Sequence, residues 1–282
     1  MERVGIDIGG TFTDLVGLRD GHIVIDKTST TPDDPTRGVA DALTGVDTDI
    51  SAISDFLHGT TIAINTVLER KGANTALITT KGFRDVYTMG RNNRPEAFNL
   101  EFQRPRPLVP RSLTWEVSAR MMASGEEIDP LDDTEVEAIG RELLARDVSS
   151  VAVCLIHAYA DPIHEQRIGD ILNRVCPGMF VSLSHDILRE YREYERTSTT
   201  ALNAYVGPRV RGYLDRLEGF LADGSFGGSI QIMRSNGGTM SLKQARVQPV
   251  TMMESGPVAG MIAAGRIADI LGLEQCIGFD MG

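Results

Sequence analysis

Cysteine is scarce and scattered. Cys154, Cys176 and Cys276 are the only three among 282 residues, with no CxxC spacing. An odd number of distant thiols fits free cysteines in a reducing cytosol better than a disulfide framework. Cations are also in short supply, with 28 Lys and Arg against 39 Asp and Glu and a formal charge of -11. That balance argues against broad attraction to nucleic acid or anionic lipid, so neither is expected as a partner. The most apolar windows, 151–156 and 261–273, are too short or too interrupted to cross a bilayer core of about 30 Å. Met1-Glu2-Arg3 leads straight into a strand-like run without a signal-like leader, so a soluble, cytoplasmic protein is expected. No Gly-Lys pair occurs, which excludes a P-loop. GxGxxG is missing from the strand–helix turns, and neither a GxSxG elbow nor an HExxH zinc motif is present.

What is present is a chain with 41% hydrophobic residues, enough for one large core or two ordinary ones. Val4, Ile6 and Ile8 alternate with Gly5 and Asp7. After Gly9-Gly10 an extended, β-branched pattern resumes over 11–18, and Asp20-Gly21 turns the chain into 22–28. These patterns predict three consecutive antiparallel strands. Asp34-Pro35 supplies an N-cap and first-turn proline for a helix that Gly45 can end. Strands near 56–57, 75–80 and 151–156 then alternate with helices over 61–71, 133–146 and 162–174, which predicts an α/β architecture with parallel pairing. The proline- and arginine-rich stretch 91–110 reads as an irregular excursion. A charged run at 189–196 opens a long helical pattern to residue 222, broken or kinked at Pro208. A domain boundary is placed there, giving 1–190 and 191–282.

The most informative segment is Gly5-Ile6-Asp7-Ile8-Gly9-Gly10-Thr11-Phe12-Thr13-Asp14. Glycines at a hairpin turn let backbone N–H groups approach phosphate oxygens, and Thr11 and Thr13 add hydroxyl donors. Asp7 and Asp14 only accept, so beside a polyphosphate they make sense through Mg²⁺ and its waters, with Asp7 the metal residue. The competing reading is an ordinary hairpin with glycines serving the turn and aspartates facing water.

The DxGGTxTD pattern resembles the first phosphate motif of the acetate kinase, sugar kinase, chaperone and actin superfamily. That resemblance implies a ribonuclease-H-like nucleotide-binding domain with insertions. Ile277-Gly278-Phe279-Asp280-Met281-Gly282 looks like the start of the second such motif, an apolar strand ending in Asp-x-Gly, with Asp280 and Gly282 opening the other half of an ATP site. More specific segments are His58-Gly59-Thr60-Thr61-Ile62-Ala63-Ile64-Asn65, Thr79-Thr80-Lys81-Gly82-Phe83-Arg84-Asp85, Arg192 to Thr200, Ser235-Asn236-Gly237-Gly238 and Ser255-Gly256-Pro257-Val258-Ala259-Gly260. Together they resemble the N-terminal part of the hydantoinase A and 5-oxoprolinase family. The resemblance implies ATP-dependent hydrolysis of a cyclic amide such as a hydantoin or 5-oxoproline, by phosphorylating the ring carbonyl oxygen. It also implies a second catalytic subunit of hydantoinase B type, or its fused equivalent. Two alternatives stand beside it: an ATP-using subunit of an acetone- or acetophenone-type carboxylase, and a kinase-like nucleotide module without lactam chemistry.

His58, Thr60, Thr61 and Asn65, at a strand end and helix opening, are candidate substrate contacts. The alternative is that Thr60 or Thr61 caps the helix and His58 is packed. His157, His164 and Glu165 lack metal-ligand spacing and read as structural, His185 has no visible partner, and the alternating Glu and Arg of 189–196 read as a solvated, ion-paired face. Gly256, Gly260 and Ala264 form a small-residue stripe on a helix, read as an interdomain hinge helix against tight core packing as the alternative. No catalytic base is legible.

Overall fold

The computed structural model describes residues 1–91, 96 and 98–280, so Gly282, expected as a phosphate residue, lies outside the described residues. The chain forms two compact units, one made of Met1–Lys71 with Arg209–Gly282 and the other of Gly72–Pro208. These units do not follow the linear division at 190. Periodicity along the chain carries no sign that a later strand returns to the first sheet.

The first unit opens with β1 (Arg3–Ile8), β2 (Phe12–Arg19) and β3 (His22–Ser29), an antiparallel meander as the turn chemistry predicts. Asp34 accepts a hydrogen bond from the Thr36 amide and Pro35 occupies the first turn, which starts α1 (Pro35–Gly45) as read from the sequence. β4 (Asp55–Thr60) then pairs parallel to β1 and is followed by α2 (Ile62–Leu68).

The second unit contains β5 (Thr75–Thr80), α3 (Val86–Met89), β6 (Thr114–Val117), β7 (Arg120–Met121), β8 (Glu127–Asp129), α4 (Asp133–Ala145), β9 (Ser150–Cys154), α5 (Ile163–Val175), β10 (Phe180–Leu183) and α6 (Ser184–Ile187). Its main sheet is wholly parallel, in the order β10-β9-β5-β6. The central strands β5 and β9 are correspondingly buried along their whole length. Ile78, Val151 and Val153 pack with Val136 and Leu143 of α4 and Ile168 and Leu172 of α5.

α7 (Glu193–Asp223) begins in the second unit and ends in the first. It runs through Pro208 as one helix, where the sequence predicts a break or kink. A proline at 208 leaves the carbonyl of Ala204 without its helical donor, and the Ser150 hydroxyl donates to that oxygen at 2.6 Å. A side-chain donor 54 positions away replaces the missing bond.

β11 (Ser229–Met233), β12 (Thr239–Ser241), α8 (Leu242–Val247) and α9 (Ser255–Leu271) complete the first unit. Its sheet has the order β12-β11-β4-β1-β2-β3, with β11, β4 and β1 mutually parallel. α1 packs on β1 to β3, while α9 packs on β4 and β11. Residues 277–280, expected to be a strand, form none. They have no neighbouring strand to pair with, and Ile277 and Phe279 are almost fully exposed.

Candidate nucleotide and metal site

Alternation along the central strands decides which side chains can meet. Val4, Ile6 and Ile8 face one way and are buried, so Asp7 faces the other. Asp7 lies opposite Asp14 on β2 and Gly59 on β4, a row on one face of the sheet. Thr13 and Thr60 lie opposite Ile8, and His58 lies opposite Ile6. Those three side chains therefore belong to the face away from Asp7.

This corrects part of the sequence reading. Thr13, expected as a phosphate donor, is fully buried. Its hydroxyl lies 3.3 Å from that of Thr30, packed so closely on α1 that a Cβ at Gly38 would sit 2.9 Å from it. His58, expected at the substrate, is also fully buried. Nδ1 bonds the Ile6 carbonyl at 3.1 Å and Nε2 the Tyr213 hydroxyl at 2.6 Å. That pattern fixes a neutral ring with the proton on Nδ1, and burial pulls its pKa down to about 4. Burial likewise pushes the Tyr213 phenol up. Thr60 accepts from the Ile62 amide just ahead of α2, while Thr61, the N-cap of that helix, makes no side-chain capping bond. Thr61 and Asn65 are half-buried and linked: Asn65 donates to the Thr61 hydroxyl, and that hydroxyl donates to the Ile8 carbonyl.

Asp7 is different. Its Oδ1 is buried and has no hydrogen-bond partner. Burial, then the charges of Asp14 and Asp280, hold its carboxyl above the usual carboxylate range. Two glycines wall it in: a Cβ at Gly59 would lie 2.5 Å from Oδ1, and one at Gly256 would lie 3.5 Å from Oδ2. Next to Gly256, the hydroxyl of Ser255 is also buried without a partner. Asp14 is half-exposed and paired with Lys27 at 2.7 Å. Asp280 is exposed, close enough to Asp7 to raise its pKa.

The turn between β1 and β2 holds Gly9, Gly10 and Thr11. The Gly9 amide is spent on the Phe12 carbonyl at 2.9 Å, but those of Gly10 and Thr11 donate to no backbone carbonyl. Nothing lies within 4 Å of a Cβ built on Gly10, and its φ is not left-handed. The fold itself does not require glycine there, whereas close approach of a ligand to the backbone would. Gly260, in the small-residue stripe, also faces open space, so the tight-packing alternative does not hold at that position.

An orphaned carboxylate oxygen, a cluster of three acidic charges and free turn amides suit a cation carrying phosphates. Among the described residues no group of three or more His, Cys, Asp or Glu is arranged to hold a metal ion directly.

Sequence reasoning missed a second polar centre, in the second unit. Glu165 is fully buried beneath the carboxyl ends of β9 and β10. Oε1 accepts from the Leu155 amide at 2.8 Å and the Ser184 hydroxyl at 2.6 Å, and Oε2 from the His185 amide at 3.0 Å and ring Nδ1 at 2.7 Å. Arg196, read as part of a solvated face, is instead fully buried. It donates to the Leu155 carbonyl and the Ser184 hydroxyl and lies 3.7 Å from Glu165. His164 pairs with Glu127 at 2.6 Å. Partners 10 to 41 positions apart leave no periodic signal.

The hydantoinase/oxoprolinase N-terminal region matches residues 3–176 and the hydantoinase/oxoprolinase description matches 196–282. The chain belongs to the hydantoinase/oxoprolinase family. It is 40% identical to the uncharacterized protein MJ0964 of Methanocaldococcus jannaschii, over 99% of this chain and 42% of that protein. It is 31% identical to the caprolactamase subunit alpha of Pseudomonas jessenii, again over 99% of this chain and 42% of the relative. The crystal structure of that ATP-dependent caprolactamase superposes with a TM-score of 0.84 at 29% identity, covering 99% of this chain and 42% of that one. A nucleotide-free acetone carboxylase, from work on ATP-dependent acetone carboxylation, superposes at 0.85 with 28% identity over 96% of this chain and 41% of its own. The chain thus spans about two-fifths of the length of these relatives. Among the described residues no helix is long and apolar enough to cross a membrane.

Proposed function

We propose that the first unit is a ribonuclease-H-like domain that binds Mg²⁺–ATP at the β1–β2 turn, and that the chain is the nucleotide-handling part of an ATP-dependent cyclic-amide hydrolase. The observation that carries this reading is the buried Asp7 Oδ1 without a partner, on the strand that leads into the turn whose Gly10 and Thr11 amides donate to no backbone carbonyl. The sheet order β4-β1-β2-β3, a parallel strand beside an antiparallel meander, supports the fold assignment. The amides of Gly10 and Thr11, with the exposed Thr11 hydroxyl, bind phosphate oxygens. Asp7 would hold the hydrated metal, and the glycines at 59 and 256 put no side chain against its carboxylate. Mg²⁺ supplies neutralisation of phosphate charge when bound. Asp280 and Gly282 would extend the site.

The relatives' chemistry supports the substrate class. Caprolactam is a cyclic amide with a resonance-stabilised carbonyl, which phosphorylation of its oxygen would open to water. A second subunit, hydantoinase B-like or fused, is part of this proposal, since the relative from Pseudomonas jessenii is a subunit. Carboxylase chemistry is the second reading, because the acetone carboxylase superposes as well as the caprolactamase. Phosphate release by the protein with its partner subunit tests both. Stimulation by a lactam supports the hydrolase, and stimulation by a ketone with bicarbonate supports the carboxylase. In either case Asp7→Asn is expected to lower coupled ATP turnover by about 10² or more. An unchanged rate overturns the Asp7 assignment.

A further inference from the structure

A cleft in the second unit is independent of Asp7 and of the nucleotide reading. It has a volume of about 660 Å³ and is lined by Thr80, Lys81, Ser118, Arg120, Ile128 and Asp129, among others. Small-molecule sites typically measure about 300–1,000 Å³. Thr80 ends β5 and pairs with Val117, which ends β6, so the cleft opens at the carboxyl ends of two adjacent parallel strands. The chain leaves the sheet at that edge, so the loops after the two strands can diverge around a cleft.

Its charges are arranged by the backbone. Arg120 on β7 pairs with Asp129 on β8, and the register shifts between Arg120 and Met121. Such irregularities re-aim side chains. The Arg120 guanidinium lies over the Phe83 ring, 5.2 Å from its centroid. An aromatic face supports a guanidinium while leaving its in-plane N–H donors available to a carboxylate. Gly82, left-handed at φ 88°, turns the chain after Lys81 and donates its amide to Glu116 at 2.6 Å, which occupies that carboxylate. Among the described residues Lys81, Arg120 and Asp129 form no ion pair. Two cations and one carboxylate thus line a concave surface in a chain with a formal charge of -11.

We propose that this cleft binds a small organic acid, its carboxylate held between Lys81 and Arg120 and an ammonium or amide donor of the same molecule held by Asp129. Calorimetric titration of the purified chain at constant ionic strength tests it, with L-glutamate, with glutarate as the analogue lacking the ammonium, and with inorganic phosphate. Saturable binding of glutamate and glutarate is expected. Lys81→Gln and Arg120→Gln should each weaken both about tenfold, and Arg120→Lys less. Asp129→Asn should weaken glutamate while sparing glutarate. Lys81 is exposed, so its variant remains informative if substitution at Arg120 impairs folding. Three results overturn the proposal: no saturation by either acid, affinities unmoved by Lys81→Gln, or phosphate binding as tightly as the acids, which makes the cleft a general anion patch.

Discussion

Each unit withdraws one carboxylate from water, with opposite outcomes. Glu165 in the second unit receives four hydrogen bonds and has Arg196 at 3.7 Å. Asp7 in the first has an oxygen with no partner and two more carboxylates raising its pKa. A buried charge satisfied by the protein completes a fold. One left unsatisfied costs stability, and such a cost is tolerated where a ligand supplies what is missing. The same residue chemistry therefore completes the packing in one unit and is the basis of the proposed site in the other.

The largest effect is expected at Glu165, whose carboxylate is fully hydrogen-bonded although Nε and Nη1 of the neighbouring Arg196 have no partner. Glu165→Ala strands a buried guanidinium and four donors, and breaking a buried pair in this way costs about 3–5 kcal/mol. Urea denaturation of the variant should show most of the protein's margin gone. A loss under about 1 kcal/mol would erase the contrast with Asp7, since surface-like substitutions reach that size.

Between those extremes stands His58, buried neutral in the first unit. Its folded pKa is about 4, against an ordinary value of 6.5, so between those values the unfolded chain binds the extra proton. Stability should therefore be complete above pH 6.5 and decline as the pH falls toward 4, by about 3 kcal/mol. His58→Gln should flatten the decline. An equally steep profile in that variant would assign the titration to other groups.

The meander β1–β3, α1 with its Asp34 cap, and the alternation through α5 were legible because each rests on local chemistry: turn residues, caps and a single period. The strand that carries Asp7 and its paired-glycine turn were legible for the same reason. The long-range part was not. Whether Thr13 shares a face with Asp7 depends on register, which a glance at adjacent hydroxyls does not reveal, and one residue of offset sends the side chain to the other face. Gly59 and Gly256 act on Asp7 from β4 and α9, and Arg196 reaches Glu165 from a helix whose charge pattern looks solvated. The second unit's insertion between β4 and β11 is invisible to any windowed reading.

A smaller effect, of opposite sign, is expected at Asp7. Its folded pKa is raised above 3.8, so ionisation as the pH rises works against the fold. Asp7→Asn removes that charge and should stabilise the chain at pH 7 by about 1 kcal/mol, the order of one unsatisfied buried group. Coupled ATP turnover should fall in the same variant. A destabilised Asp7→Asn protein would mean that the carboxylate has a structural partner after all.

The smallest effect on stability is expected at Gly10, and it separates the turn from the site most directly. The residue is exposed, its φ is not left-handed and no atom lies within 4 Å of its Cβ position. A valine therefore meets no clash, and Gly10→Val should leave stability within about 0.5 kcal/mol, as surface changes usually do. Replacing Gly9 makes a useful contrast, since its Cβ would approach the Phe12 carbonyl at 3.2 Å and disturb the hairpin itself. If the free amides of Gly10 and Thr11 cradle phosphate, the valine side chain occupies the space that the phosphate oxygens need. Nucleotide affinity of the intact enzyme should then fall at least tenfold, a change of about 1.4 kcal/mol, while the melting temperature holds. Undiminished affinity in a folded Gly10→Val protein would show that these amides face only water, and that Asp7 owes its missing partner to something other than a nucleotide.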